Sequence, residues 1–139
     1  MNFTKMHGCG NDYIYFDCTQ RDFPGGAQGE KEAAIKLSDR HFGIGGDGII
    51  IIKKGQSADF EMVMYNADGS RSQMCGNGIR CFGKFVYDHK LTDKKELAVE
   101  TLAGIKYLRL IEEDGTITGV TVDMGKPVTR AVEIPVVAD

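Results

Sequence analysis

Met74-Cys75-Gly76-Asn77-Gly78-Ile79-Arg80-Cys81 is the stretch on which the reading of this chain turns. Ile79, Phe82 and Val86 fall at i, i+3 and i+7, the spacing of one helical face, which predicts a helix from about Gly76 to His89. Cys75 then stands just before the first turn. Backbone N–H groups that no helical carbonyl can reach lie beside it, at the positive end of the helix dipole. That setting favours a thiolate, the form of cysteine that acts as a base. The same N–H groups can hold a carboxylate, and the glycines let such a ligand approach the backbone closely. One short segment thus supplies both a base and an anion site. The alternative, on the residues alone, is that Cys75 is a small buried side chain, the commoner fate of a free cysteine.

Cys81 reads differently. It lies six steps of about 100° further along the same helix, on another face and beside Phe82 and Phe85, so it reads as core packing. The remaining cysteines, Cys9 and Cys18, complete no CxxC pair, and neither a metal site nor a disulfide framework is expected.

Outward from this helix, strand signals dominate. Phe3 to Met6 and Tyr13 to Asp17 flank a turn built from Gly8, Gly10 and Asn11. Glu30 to His41 has Ala33, Ala34 and Leu37 at helical spacing, with Gly43 as a stop signal and Gly25, Gly26 and Gly29 as a preceding exposed loop. Ile49 to Ile52 reads as a buried strand, and Phe60, Met62 and Met64 alternate with their neighbours as another. Asn66 to Ser70 turns the chain. After the central helix come strands over Leu97 to Thr101, Ile105 to Ile111 and Thr116 to Met124, the last two joined through the hairpin dipeptide Asp114-Gly115. Local hairpins rather than regular βαβ units predict an α+β domain, an antiparallel sheet packed on a helix.

Gly43-Ile44-Gly45-Gly46-Asp47-Gly48 fits the pattern G-x-G-x-x-G, but a helix precedes it and a strand follows, the reverse of a dinucleotide site. It reads as a tight helix-to-strand turn. Asn11 and Asn66 each sit in a turn, where local backbone hydrogen bonds account for an Asn. His7, His41 and His89 have no recognisable partners, and no phosphate cradle accompanies the lysines as pyridoxal phosphate would need.

With 139 residues, 42% of them hydrophobic, the chain is the size of one domain with a real core. Mixed charges and a net charge of −3 offer no field to gather a nucleic acid backbone. No apolar run is long enough to cross a bilayer, and no targeting segment opens the chain, which reads as a cytoplasmic protein without membrane partners.

With these motifs placed, the sequence resembles the diaminopimelate epimerase family. The resemblance is carried by His7-Gly8-Cys9-Gly10-Asn11-Asp12-Tyr13, by Arg40 to Gly45 with Asp47-Gly48, by Asn66-Ala67-Asp68-Gly69-Ser70, by Met74 to Cys81, and by Val122 to Pro127. It implies a fold of two similar lobes, each an antiparallel sheet wrapped around a central helix, and interconversion of LL- and meso-diaminopimelate in lysine synthesis. No metal, pyridoxal phosphate or other cofactor is implied, and the full-length protein is implied to be a homodimer. By matching position, Cys75 is one of two catalytic acid/base thiols, Gly76 and Asn77 bind the substrate's α-carboxylate, and Asn11 and Asn66 help to fix it. Some relatives carry Gln where this chain has Gly48, so the resemblance assigns that loop no role. Proline racemase and hydroxyproline epimerase relatives carry His at the position of Asn77. The second cysteine belongs to the second lobe, and this chain ends at Pro135 to Asp139, about where relatives cross into it. Residues 1–139 are therefore expected to be an N-terminal lobe that cannot epimerise alone. A non-catalytic lobe that captures amino acids, a proline racemase-like isomerase and a redox thiol protein are the competing readings.

Overall fold

The computed structural model describes residues 1–130 together with 133 and 134. Pro135 to Asp139, where the sequence reading set the crossing into a second lobe, lie outside the described residues. Seven strands form one sheet whose order repeats the order of the chain. They are β1 (Thr4–Gly8), β2 (Asn11–Asp17), β3 (Gly48–Lys54), β4 (Phe60–Asn66), β5 (Glu96–Thr101), β6 (Gly104–Glu113) and β7 (Thr116–Val122). Helix α1 (Gly26–Ser38) lies between β2 and β3, and helix α2 (Gly76–Asp88) between β4 and β5.

The expected α+β lobe, a sheet wrapped around a helix, is what the chain forms. Two of its joints depart from the hairpin pattern, because β2 pairs with β3 and β4 with β5 in parallel. A parallel pair needs a crossover, and α1 and α2 are those crossovers, so two βαβ units do occur. The others, β1 with β2, β3 with β4, β5 with β6 and β6 with β7, are antiparallel. Asp114 and Gly115 turn β6 into β7 as read, both with positive φ.

The two helices pack on opposite faces. Along β3, Ile50 and Ile52 join the core around α2 while Ile49 and Ile51 join the core under α1. A strand buried on both sides reads as an unbroken apolar run, which explains four successive isoleucines with no exposed surface. Beyond β4, among the described residues, only the α2 face is covered by a helix. There β6 alternates, with Leu108 and Leu110 buried and Tyr107, Arg109 and Ile111 open to solvent. Helix α2 touches β1 and β2 at one end of the sheet and β6 and β7 at the other, so the sheet curls around it.

The helix α1 begins earlier than its apolar spacing indicates, absorbing Gly26 and Gly29 from the expected loop. A Cβ at position 29 would lie 1.9 Å from the Pro24 carbonyl oxygen, so glycine here marks a close backbone approach rather than a break.

Candidate active site

The site begins at the start of α2. Cys75 has extended backbone angles, φ −135° and ψ 121°, and is the N-cap of the helix. Its Sγ accepts a hydrogen bond from the Gly78 N–H at 3.3 Å, and its carbonyl accepts from the Ile79 N–H. Ile79 thus makes the first intrahelical bond, and of the N–H groups before it that of Gly78 is capped by the thiol, while those of Gly76 and Asn77 have no hydrogen-bond partner among the described residues. The thiol is half-buried, between a packed floor and solvent. Tyr15 forms part of that floor, donating its hydroxyl to the Gly78 carbonyl at 2.9 Å.

The hairpin of β1 and β2 brings Asn11 to the sulfur. The Cys75 S–H donates to Asn11 Oδ1 at 3.1 Å, and Asn11 Nδ2 donates to Asp47 Oδ2 at 2.6 Å. Asp47 is held from several sides. Its Oδ2 also accepts from the Asp12 N–H, its Oδ1 accepts from Arg40, and its own N–H donates to the Asp12 carbonyl. Arg40 also grips both Asp12 carboxylate oxygens, and Lys5 reaches one of them at 3.0 Å. The Arg40 hydrogen bond, helped by Lys5 and opposed by burial, holds the Asp12 carboxyl well below the usual carboxylate range.

Tyr13, two residues beyond Asn11 on the same face of β2, lies next to the thiol. Burial first, then the adjacent Cys75, pushes its phenol up to about 12, so it stays protonated and able to donate. Cys81 is in the core as expected, buried beside Tyr15, and burial raises its thiol above the ordinary value. Cys18 is buried under α1, and Cys9 is exposed at the β1–β2 turn.

The expected residues are not all equally close to the sulfur. Cys75, Asn11, Gly76 and Asn77 converge at the helix start. Asn77 Oδ1 accepts from Arg80, which also donates to the Gly76 carbonyl at 3.0 Å. Asn66 sits at the rim, paired across the sheet with Gly48, and its side chain holds Ser70 at 2.9 Å. It reaches the site through the Ala67 N–H, which donates to the Asp47 carbonyl. At Gly48 a Cβ would stand 2.1 Å from the Tyr65 carbonyl oxygen, so that position offers backbone alone. The motif Gly43 to Gly48 is the helix-to-strand turn it was read as.

Three neighbours were not singled out from the sequence: Asp47, Tyr13 and Arg80. Tyr13 was within reach of the period-two rule from Asn11, and Arg80 of the i, i+3 rule from Asn77. Asp47 carried no such signal, because its partner Asn11 is 36 residues away. Among the described residues, no three His, Cys, Asp or Glu side chains gather as a metal site. A groove along β5 to β7, lined by Leu97, Tyr107, Arg109 and Thr121, contains none of the candidate residues.

The family model described as diaminopimelate epimerase matches residues 3–130. A diaminopimelate epimerase from Agathobacter rectalis is 56% identical over 137 residues, which cover 99% of this chain and 47% of that relative. One from Methanococcus maripaludis is 52% identical over 139 residues, covering 100% of this chain and 49% of the relative. This chain thus spans about half the length of the curated relatives it matches. Among solved structures, a methylitaconate-delta-isomerase superposes with a TM-score of 0.65 at 17% identity, over 83% of this chain and 35% of the other. A hydroxyproline epimerase from Agrobacterium vitis gives 0.63 at 15%, over 86% and 40%. At such identities the likeness establishes the shared fold and nothing finer.

Proposed function

Because this chain belongs to the diaminopimelate epimerase family, we propose that it is the N-terminal lobe of a cofactor-independent epimerase that interconverts LL- and meso-diaminopimelate, and that Cys75 is one of its two acid/base thiols. The observation that carries this reading is the position of Cys75: half-buried at the cap of α2, beside the N–H groups of Gly76 and Asn77 in the first turn.

Inversion at an α-carbon needs a base on one face and an acid on the other. In this reading one thiolate takes the α-hydrogen and becomes a thiol, while a second thiol gives its proton to the opposite face and becomes a thiolate. The α-hydrogen is a poor acid, so the negative charge that develops toward the carboxylate must be stabilised. The Gly76 and Asn77 N–H groups, at the positive end of α2, are suited to that task. Asn11 and Asn66 help to fix the substrate. The other face belongs to residues beyond this chain, since Cys9, Cys18 and Cys81 lie at a surface turn, under α1 and in the α2 core. The four free cysteines suit a reducing compartment, the cytoplasm.

The reading is tested with LL-diaminopimelate in deuterated water. The 139 residues alone should give no meso isomer carrying deuterium at the α-carbon, whereas the same lobe joined to its second half should give it. Efficient turnover by the 139 residues alone, or none by the joined protein, would overturn it.

A further inference from the structure

We infer that Asp47 is a positioning residue for Cys75: it fixes which way the Asn11 amide points, and so which partner the sulfur meets. The inference rests on the reading of Cys75 as the reacting thiol. An Asn side chain has one end that accepts and one that donates, and the sulfur can be offered either. A carboxylate accepts only. With Asp47 Oδ2 at 2.6 Å, the amide must turn its NH2 group toward Asp47, which leaves Oδ1 facing Cys75 at 3.1 Å. Asn11 Oδ1 then accepts the S–H proton and has nothing to give to a thiolate.

Asp47 cannot easily turn away. Arg40 holds Oδ1, the Asp12 N–H holds Oδ2, and the Asp47 N–H is bound to the Asp12 carbonyl. Arg40 is itself anchored on Asp12, which Lys5 also pairs. The result is a relay of fixed polarity running from Arg40 through Asp47 and Asn11 to the sulfur. An acceptor in that place pairs with the S–H form of Cys75 and offers nothing to its anion. The opposing influences are the Gly78 N–H, which donates to the sulfur, and the adjacent Tyr13 hydroxyl, both of which suit its anion.

The charged and titratable groups around this thiol are Tyr13 and Tyr15 on β2, Arg80 and Cys81 on α2, and Asp47 in the turn before β3. Tyr13 also meets the Asn11 side chain, but a hydroxyl can donate or accept and adapts to either amide orientation, whereas the Asp47 carboxylate accepts only and so fixes it. Asp47→Asn keeps the shape but can offer either a donor or an acceptor, which frees Asn11 to turn its NH2 toward sulfur and favour the thiolate.

The experiment follows iodoacetamide alkylation of each cysteine in the whole chain against pH, with mass spectrometry resolving Cys75 from exposed Cys9. No substrate is present, so failure of this inference and failure of the epimerase reading are separate results. D47N should move the Cys75 profile to lower pH, raising its alkylation rate below the midpoint by roughly three- to tenfold, since a midpoint lower by about one pH unit means about ten times as much thiolate there. The Cys9 profile should stay in place. In an Asn11→Leu background the same substitution should have no effect on Cys75, because the amide that transmits it is gone. An unchanged Cys75 profile in D47N overturns the inference. So does an equal rise in both backgrounds, which would mean that Asp47 acts through its charge alone. A readout that needs no variant is the Asn11 side-chain amide in the NMR spectrum: one proton should be shifted downfield and protected by the carboxylate, and an ordinary exposed amide signal would overturn the inference.

Discussion

The two helices have the same length, 13 residues each, and the same topological task of bridging a parallel pair of strands. They differ in what their first turns face. The N-cap of α1 is Gly25, which makes no side-chain cap, and the helix lies on the outer face, with Lys31 and Glu32 in water. Its one buried charge, Glu30, is fully partnered by Lys53 at 2.7 Å and the Tyr65 hydroxyl at 3.0 Å. Helix α2 is enclosed by both ends of a curled sheet, its cap is a thiol, and the N–H groups of Gly76 and Asn77 in its first turn have no hydrogen-bond partner among the described residues. The contrast separates structure from chemistry. A buried polar group with all its bonds made holds a fold together, whereas a half-open one beside unpaired donors is left free to act.

Each side of that comparison can be attacked. The largest expected effect is on α2: in the lobe joined to its second half, Cys75→Ser should lower the epimerisation rate by about a thousandfold, the scale of a lost acid/base group. Serine is itself a good N-cap, so the thermal midpoint of the 139-residue chain should barely move. A large loss of stability with rate retained would invert the distinction. On α1, Glu30→Ala leaves the Lys53 ammonium without its partner and should cost about 3 kcal/mol in denaturant unfolding. Cys75 alkylation should be unaffected, and a change there would show that the faces are coupled. The smallest effect concerns acid. Because the Asp12 carboxyl is held below its ordinary value in the folded chain, its contribution to stability is present above pH of about 4 and is lost as pH falls below that. Asp12→Asn should therefore lower the thermal midpoint at neutral pH by a few degrees at most, and wild type and variant should converge in acid. A gap that persists or widens toward low pH would contradict a stabilising role for the ionised carboxyl.

Much of the lobe was legible in the residues. The Ile79, Phe82 and Val86 stripe located α2 to within a residue at its end, and Asp114-Gly115 located a hairpin, because both signals are local and periodic. The α1 start was missed because glycine is read as a breaker, while Gly29 is glycine for want of space under Pro24. The parallel joints were missed for a related reason: the strand signals do not state which neighbour a strand will choose, and Ile49 to Ile52 looks alike beside either. At the candidate site, the place of Cys75 at the start of α2 was readable from its own neighbours. That of Asp47 was not, since its meaning lies in Asn11, across the gap from β2 to the turn before β3.

The agreement between strand order and chain order has a consequence for how this lobe comes into being. Every joint in the sheet lies between consecutive strands, so a nascent chain can extend the sheet from one growing edge as the ribosome delivers it. Asn11, Asp47 and Cys75 all precede β5, so the polar relay and its thiol can assemble before β6 and β7 exist to wrap the far side of α2. Synthesis from the amino terminus thus allows the Cys75 corner to form first and its helix to be enclosed afterwards.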